Sequence, residues 1–176
     1  MELTKQTKQT RQIKLYNVIF PVWLILFFPP VILVTLIGNW LIDSLVLIAC
    51  YFIFKPHKEW NWLLFYKKNI VKVWLLGLLA DIIGAAILFA CVGFQDFLGL
   101  SNDVVNSISF DPFSNFLAFT LIMITMLISG LFILLFNYNY TFKSTIEDEL
   151  ARWKVAAFIA VTTLPWTFLL PTKLFY

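Results

Sequence analysis

Long apolar stretches separated by short polar ones dominate the chain. Residues 15–54 are almost uncharged and would form a helix of about 60 Å, twice the ~30 Å thickness of the hydrocarbon core of a bilayer. This length predicts a hairpin of two membrane spans, 15–37 and 40–54. We place the turn at Gly38-Asn39, because glycine tolerates the left-handed backbone conformation that ends many helices.

Three further apolar stretches follow, at 73–94, 115–137 and 155–171. Each of them is long enough to cross the hydrocarbon core as a helix. Segment 60–72 mixes tryptophan with lysine, and segment 144–154 begins with the Ser-x-x-Glu spacing of a capping box. The pattern predicts an all-α bundle of five transmembrane helices and two short interfacial helices, in a single domain covering 1–176.

The composition excludes a water-soluble protein. Hydrophobic residues make up 61% of the 176 residues, charged residues make up 13%, and the mean hydropathy is +0.86. Soluble domains carry roughly 45–50% apolar and about 25% charged residues. A chain of this size has too little interior to hide 19 Phe and 7 Trp residues from water. The sequence therefore indicates a membrane protein and excludes both a soluble enzyme and a disordered tail.

Positive charges are confined to alternate segments of the chain. All but one of the 13 Lys and Arg residues lie in 1–14, 55–72 and 138–154, whereas the linker 95–114 has none. Because basic residues stay on the cytoplasmic side, this pattern predicts a cytoplasmic N-terminus and an outer C-terminus. We expect the cell membrane of a bacterium as the location. The expected partners are the lipid bilayer and other membrane proteins or a second copy of the chain, and no nucleic acid.

Two acidic residues lie within the predicted spans. Asp81 stands in the middle of one span, and Asp43 lies four residues after Asn39 and hence on the same helix face. A charge at membrane depth costs roughly 2.5–3.5 kcal/mol on insertion scales, so such residues usually face the bundle and have a role. The two acids lie about 18 Å (Asp43) and about 13 Å (Asp81) from the cytoplasmic ends of their spans. Together with Asn39 they predict a site that binds a solute, a proton or a cation.

The helix face of Asp81 also carries a stripe of small residues, namely Gly77, Ala80, Gly84 and Ala85. Such spacing suits close packing of helices in a membrane. It supports a structural alternative, in which a protonated Asp81 hydrogen-bonds a Ser, Thr or Asn on a neighbouring helix. Both interpretations predict that Asp81 points into the bundle. The threonines of the last two spans are expected to hydrogen-bond back to their own helices.

The sequence contains no motif for metal binding or catalysis. His57 is the only histidine and has no cysteine or second histidine at ligand spacing, so no metal site is predicted. Cys50 and Cys91 are expected to differ in depth by about 20 Å, which is too far for a disulfide. Motifs of zinc proteases, serine hydrolases and nucleotide-binding loops are missing. We therefore predict no catalytic residue and no cofactor.

Residues 77–89, which read GLLADIIGAAILF, resemble the Gly/Asp-rich membrane segment of the substrate-binding S subunits of energy-coupling-factor vitamin transporters. The resemblance implies a small hydrophobic subunit that binds a solute. Those subunits typically have six spans and a small-residue motif in the first span, where this chain reads WLILFFPPVILV. The two aspartates on adjacent spans also resemble presenilin-type intramembrane aspartyl proteases. The Gly-x-Gly-Asp and Pro-Ala-Leu motifs of that family are missing, so an enzyme is not predicted.

Two functions from different classes remain open. The first is a transport component that binds a small solute or ion around Asp81, supported by the small-residue stripe and by proline interruptions at 29–30, 165 and 171. The second is a non-catalytic scaffold or assembly subunit of a larger membrane complex, supported by the small size and the aromatic-rich surface. A water-accessible cavity that reaches Asp81 would favour the first function. A solid bundle with an exposed face of small residues would favour the second.

Overall fold

The computed structural model describes residues 31–56 and 61–174, and every regular element in these ranges is helical. The longer helices are α1 (Val31–Phe54), α2 (Trp62–Gly93), α3 (Asn102–Phe110), α4 (Phe116–Phe136) and α5 (Glu149–Thr162). Short helical turns join them. The all-α prediction is confirmed for this part of the chain, whereas Pro29, Pro30 and His57 lie outside the described residues.

Three of these helices, α1, α2 and α4, are long and apolar enough to cross a membrane. The 32 residues of α2 extend over about 48 Å, well beyond the ~30 Å of the hydrocarbon core. By contrast, the 14 residues of α5 cover only about 21 Å. Length and composition therefore indicate a membrane protein, with three helices among the described residues that are long and apolar enough to cross the bilayer.

The turn predicted at Gly38-Asn39 is wrong, because α1 continues through both residues. A turn inside an apolar stretch would leave backbone N–H and C=O groups without partners, whereas a continuous helix satisfies them. A glycine in a helix interior costs only about 1 kcal/mol relative to alanine. The predicted spans 15–37 and 40–54 are therefore not separated at this point, and residues 15–30 lie outside the described part of the chain.

Neither of the two predicted interfacial helices exists as a separate element. Residues 62–72 form the first turns of α2, since no proline or glycine interrupts the helix there. The capping box at 144–147 is not used either. Helix α5 begins after Asp148, whose carboxylate accepts hydrogen bonds from the N–H groups of Leu150 and Ala151 at 3.1 and 3.2 Å. A short acidic cap next to the helix start satisfies two of its free N–H groups.

The predicted fifth span, 155–171, is helical only in its first half. Helix α5 ends at Thr162, and the chain resumes a 3-10 turn only at Trp166–Leu169. Pro165 lies between them. A proline has no N–H to donate and disfavours helical geometry in the residue before it, so the helix stops ahead of it. We call residues 163–174 the broken segment.

The chain from α5 through the broken segment runs alongside α4 from one end to the other. Near the start of α5, Arg152 donates a hydrogen bond at 3.3 Å to the hydroxyl of Tyr138, just beyond the C-terminal end of α4. Near the end of the chain, the Thr172 hydroxyl donates at 2.9 Å to the carbonyl of Ser109, which precedes α4. Both ends of this stretch are therefore anchored, although the helix between them is interrupted.

Four helices close a ring, because α2 packs against α1 and α4 while α5 packs against α4 and α1. The core consists of two apolar clusters along the bundle. The first cluster contains Phe65, Phe142 and Val155, and the second contains Leu88, Ile122 and Phe168. Helices α1 and α2 are also joined by polar contacts, since the Trp74 Nε1 group donates to the Leu36 carbonyl at 3.1 Å.

An ion pair between Lys173 and Asp111 ties the broken segment to the linker before α4. The hydrogen bond from Lys173 holds the pKa of the Asp111 carboxyl below its ordinary value of 3.8. A carboxyl whose pKa is lowered by folding stabilises the folded state above its unfolded-state pKa, and this contribution is lost as the pH falls through the folded-state pKa.

We therefore expect Asp111→Asn to lower the unfolding midpoint at neutral pH and to lose this effect below about pH 4. The measurement is the unfolding midpoint of both proteins in detergent between pH 7 and pH 3. Asp96→Asn is the matched control, because exposed Asp96 has no ion pair in the described ranges. A difference between wild type and Asp111→Asn that stays constant with pH would contradict the role of this pair.

Candidate functional site

A cavity of about 160 Å³ opens where α1 and α2 face the end of α5 and the broken segment. It borders the second apolar cluster, since Phe168 of that cluster lines it. A dry cavity of roughly 150 Å³ is large enough to hold benzene, and one water needs only about a tenth of that volume. This cavity can therefore hold several waters or one small molecule.

Two carboxyl groups line this cavity, Asp43 from the middle of α1 and Asp81 from α2. Asp43 is only 7% exposed. Its Oδ2 atom lies 3.8 Å from the position that a Cβ on Gly77 would take, so the glycine gives the carboxyl room against α2. The Oδ1 atom of Asp81 is buried and has no hydrogen-bond partner. Neither carboxyl group forms a hydrogen bond or ion pair within the described part of the chain.

The hydrogen bond that the structural alternative requires is not present at Asp81 within the described residues, and the choice between the two interpretations of Asp81 stays a prediction. Polar contacts between α1 and α2 occur elsewhere, at Trp74 and between the hydroxyls of Ser44 and Tyr66, which are 2.9 Å apart. The buried hydroxyl of Ser129 on α4 has no partner either, and it lies against Gly84. Buried polar groups in native proteins are nearly always paired, so an unpaired carboxyl calls for another explanation.

The end of α5 presents hydrogen-bond acceptors to the cavity. Thr162 and Thr163 both line it. The Thr162 hydroxyl donates to the carbonyl of Phe158 at 2.7 Å, and the Thr163 hydroxyl donates to that of Ile159 at 2.8 Å, which confirms the predicted back-bonding. A hydroxyl has a single proton, so both oxygens keep only acceptor capacity for the cavity. The C-terminal end of a helix also carries a partial negative charge.

The charged side chains that line the cavity are all acidic. Its lining contains two aspartates and, among the described residues, no lysine, arginine or histidine. Apolar side chains form much of the remaining wall. They are Ile42 of α1, Leu78 of α2, and Leu164, Pro165, Trp166 and Phe168 of the broken segment. The sequence indicated interruptions at Pro165 and Pro171, but it did not indicate that the interrupted stretch forms a wall of this cavity.

All three residues predicted to bind a ligand, Asp81, Asp43 and Asn39, line this one cavity. Of the small-residue stripe, Gly77 also lines it, whereas Ala80, Gly84 and Ala85 are buried against neighbouring elements. No group of three or more His, Cys, Asp or Glu side chains that could hold a metal ion occurs in 31–56 and 61–174. Both cysteines in these ranges are free.

No family model, curated protein or solved structure matches the chain. The resemblance of residues 77–89 to vitamin-transporter subunits thus gains no support from these comparisons.

Proposed function

We propose that the chain is a membrane transport component that binds a small solute or ion in the cavity around Asp81. The observation that carries this proposal is the pair of unpartnered carboxyl groups, which line one cavity halfway along two helices of membrane-crossing length. Ionisable residues inside membrane helices are costly, and they typically mark a pathway for ions or solutes.

The broken segment supports the same proposal. Many transporters bind their substrate near the middle of the membrane, at a helix that is interrupted there. Non-helical backbone at membrane depth is tolerated where it lines a cavity or is buried in protein. The interruption between Thr162 and Trp166 lines the cavity that Asp43 and Asp81 share.

We further propose that the protein crosses the cell membrane several times, with the chain from α5 to Lys173 crossing as an interrupted helix. In this orientation the cytoplasmic end holds the end of α1, the start of α2 and the turn before α5, which together carry most of the lysines. The linker 95–114 and the Lys173–Asp111 pair then lie on the outer side.

The scaffold function is the weaker proposal, because the small residues that would serve as a docking face are not exposed. Ala80 is fully buried, Ala85 is 8% exposed, and Gly84 lies against α4 and the broken segment. Affinity purification in mild detergent followed by mass spectrometry tests for the stable membrane partner that this function requires.

Reconstitution into liposomes tests the transport proposal. We expect liposomes with the wild-type protein to take up protons, Na⁺, K⁺ or alkylammonium ions faster than protein-free liposomes, measured with entrapped pH- and ion-sensitive dyes. Asp81→Asn should abolish the uptake, since the amide keeps the shape of the side chain but not its charge. Asp96→Asn in the exposed linker is the control and should transport like the wild type. Equal fluxes with and without protein, or a flux unchanged in Asp81→Asn, would contradict the proposal.

A further inference from the structure

We infer that the ligand of this cavity is a small organic ammonium ion, with its charged group at Asp43 and Asp81 and its apolar body against residues 164–168. This inference rests on the proposed function and narrows it to one class of ligand.

The charge of the lining determines the sign of the ligand. Asp43 is more than nine-tenths buried and unpartnered, and Asp81 presents a second unpartnered carboxyl to the same space. Two like charges in a site of low dielectric repel each other strongly unless a cation or a proton lies between them. No basic side chain of the described lining fulfils this role. The compensating charge is therefore a proton in the empty cavity and the charge of a cationic ligand when the cavity is filled.

The hydrogen-bonding capacity of the lining points to a ligand rich in N–H groups. The protons of the Thr162 and Thr163 hydroxyls are already donated to their own helix. Two carboxylates and two such hydroxyls offer acceptors only, and the donor groups of the lining belong to other residues, such as the Asn39 amide and the Trp166 indole. A primary ammonium group has three N–H donors and no acceptor, so it complements this set. The C-terminal end of α5 adds further stabilisation for a positive charge.

The apolar wall distinguishes an organic cation from a metal ion. Hard cations such as Ca²⁺ take six to eight oxygen ligands, and Mg²⁺ demands an octahedral shell of oxygens. The oxygens of the lining belong to the two aspartates, to Asn39 and to threonines, whereas the side chains of Leu164, Pro165 and Phe168 offer none and form much of the wall. They suit the hydrocarbon body of a ligand, and most small-molecule sites combine such a surface with a few polar groups. Trp166 can add a cation–π contact.

The size of the cavity limits the body of the ligand. Its volume of about 160 Å³ is smaller than the roughly 300–1,000 Å³ of cavities that take drug-sized molecules. A short alkyl chain or a single ring fits, whereas a nucleoside or a steroid does not. We therefore take n-butylammonium as the probe.

Isothermal titration calorimetry on the purified full chain in detergent tests the inference. We expect saturable binding of n-butylammonium chloride and none of 1-butanol, which has a similar shape but no charge, or of sodium butyrate, whose charge is reversed. From methyl- to n-butylammonium the affinity should rise about fourfold for each methylene group that is buried. Sodium chloride and potassium chloride at the same concentrations are the inorganic comparison.

Variants locate the binding site. Asp43→Asn and Asp81→Asn should each weaken n-butylammonium binding at least about tenfold, as expected for the loss of a hydrogen bond to a charged group. Asp96→Asn should bind like the wild type. Size-exclusion chromatography shows whether each variant is folded. If one of the two aspartate variants does not fold, the other still tests the binding site.

Each outcome bears on one of the two proposals. Equal binding of 1-butanol would overturn the cationic ligand, and binding of Na⁺ or K⁺ without any gain from the alkyl chain would overturn the organic one. If no ammonium probe binds but liposomes show an Asp81-dependent flux of another cation, the ligand class is wrong and the transport proposal stands. If n-butylammonium binds but no flux occurs, the transport proposal is wrong and the ligand class stands.

Discussion

Replacing Asp81 with leucine is expected to stabilise the folded protein in detergent and to abolish its transport activity. The Oδ1 atom of Asp81 is buried without a partner, and burying a polar group without a hydrogen bond costs about 1–3 kcal/mol in proteins. A leucine removes this cost, and the adjoining cavity gives its larger side chain room. The measurement is the free energy of unfolding in mixed micelles, combined with the liposome uptake described above.

Two comparisons make this prediction specific. Asp81→Asn keeps a polar side chain of the same shape, so it should lose transport while gaining little stability. Asp96→Leu changes an exposed acid and should alter the free energy of unfolding by no more than about 0.5 kcal/mol. A loss of stability in Asp81→Leu would show that the carboxyl has a structural partner, as the structural alternative held. A gain of stability with a loss of activity is typical of sites that natural proteins keep for function.

The second large effect is expected at Gly84, where alanine should destabilise the bundle by about 1–3 kcal/mol through overpacking. A Cβ at this position would lie 2.1 Å from the Ser129 hydroxyl oxygen and 2.9 Å from a ring carbon of Phe168. The hydroxyl can turn away to another rotamer. The Phe168 ring is 2% exposed and belongs to the second apolar cluster, so it cannot move without disturbing its neighbours.

Gly38→Ala is the matched control for Gly84→Ala. Gly38 also lies inside a long helix, but no atom of the described residues outside its own stretch of helix packs within 4 Å of the position that its Cβ would take. Alanine is the better helix former, so this variant should gain up to about 1 kcal/mol. Thermal unfolding of both variants in the same detergent should therefore give midpoints shifted in opposite directions. Equal shifts would contradict the close approach of α2 to α4 at Gly84.

Sequence reasoning predicted the parts of the fold that depend on local hydrophobicity. The long apolar stretches around Asp81 and in 115–137 correspond to α2 and α4. An apolar stretch of this length predicts a helix without any knowledge of its distant contacts. The spacing of Asn39 and Asp43 put both on one helix face, and both line the cavity. The periodicity of the helix alone was sufficient to predict that these two residues lie on the same side of α1.

The errors arose where a local signal competed with backbone hydrogen bonding or with a remote contact. Gly38-Asn39 is compatible with a turn, yet the helix continues, because a continuous helix satisfies the N–H and C=O groups of its backbone in an apolar environment. The capping box at 144–147 does not form, because this part of the chain is a turn packed against α2. Thr145 is buried there, and its hydroxyl donates at 3.2 Å to the Asn69 side chain of α2. No sequence pattern near Thr145 reveals a partner that is 76 positions away.

The cavity itself was the least predictable part. Its apolar wall depends on where Pro165 interrupts the helix and on which neighbouring helices the interrupted stretch faces. Those neighbours are determined by tertiary packing, which no local sequence pattern reveals. The acceptor character of Thr162 and Thr163 depends on where their protons point. Sequence reasoning predicted two acids at membrane depth but not the space between them.

The anchoring of the broken segment limits how the cavity can change shape. One end is continuous with α5, and the other end is tied through Thr172 and Lys173 to the linker before α4. A stretch of backbone that is fixed at both ends cannot withdraw from the cavity, and Phe168 between those ends is buried in the second apolar cluster. The broken segment is therefore held like a strap across the two helices that carry Asp43 and Asp81, and its apolar side chains form a fixed wall of the cavity.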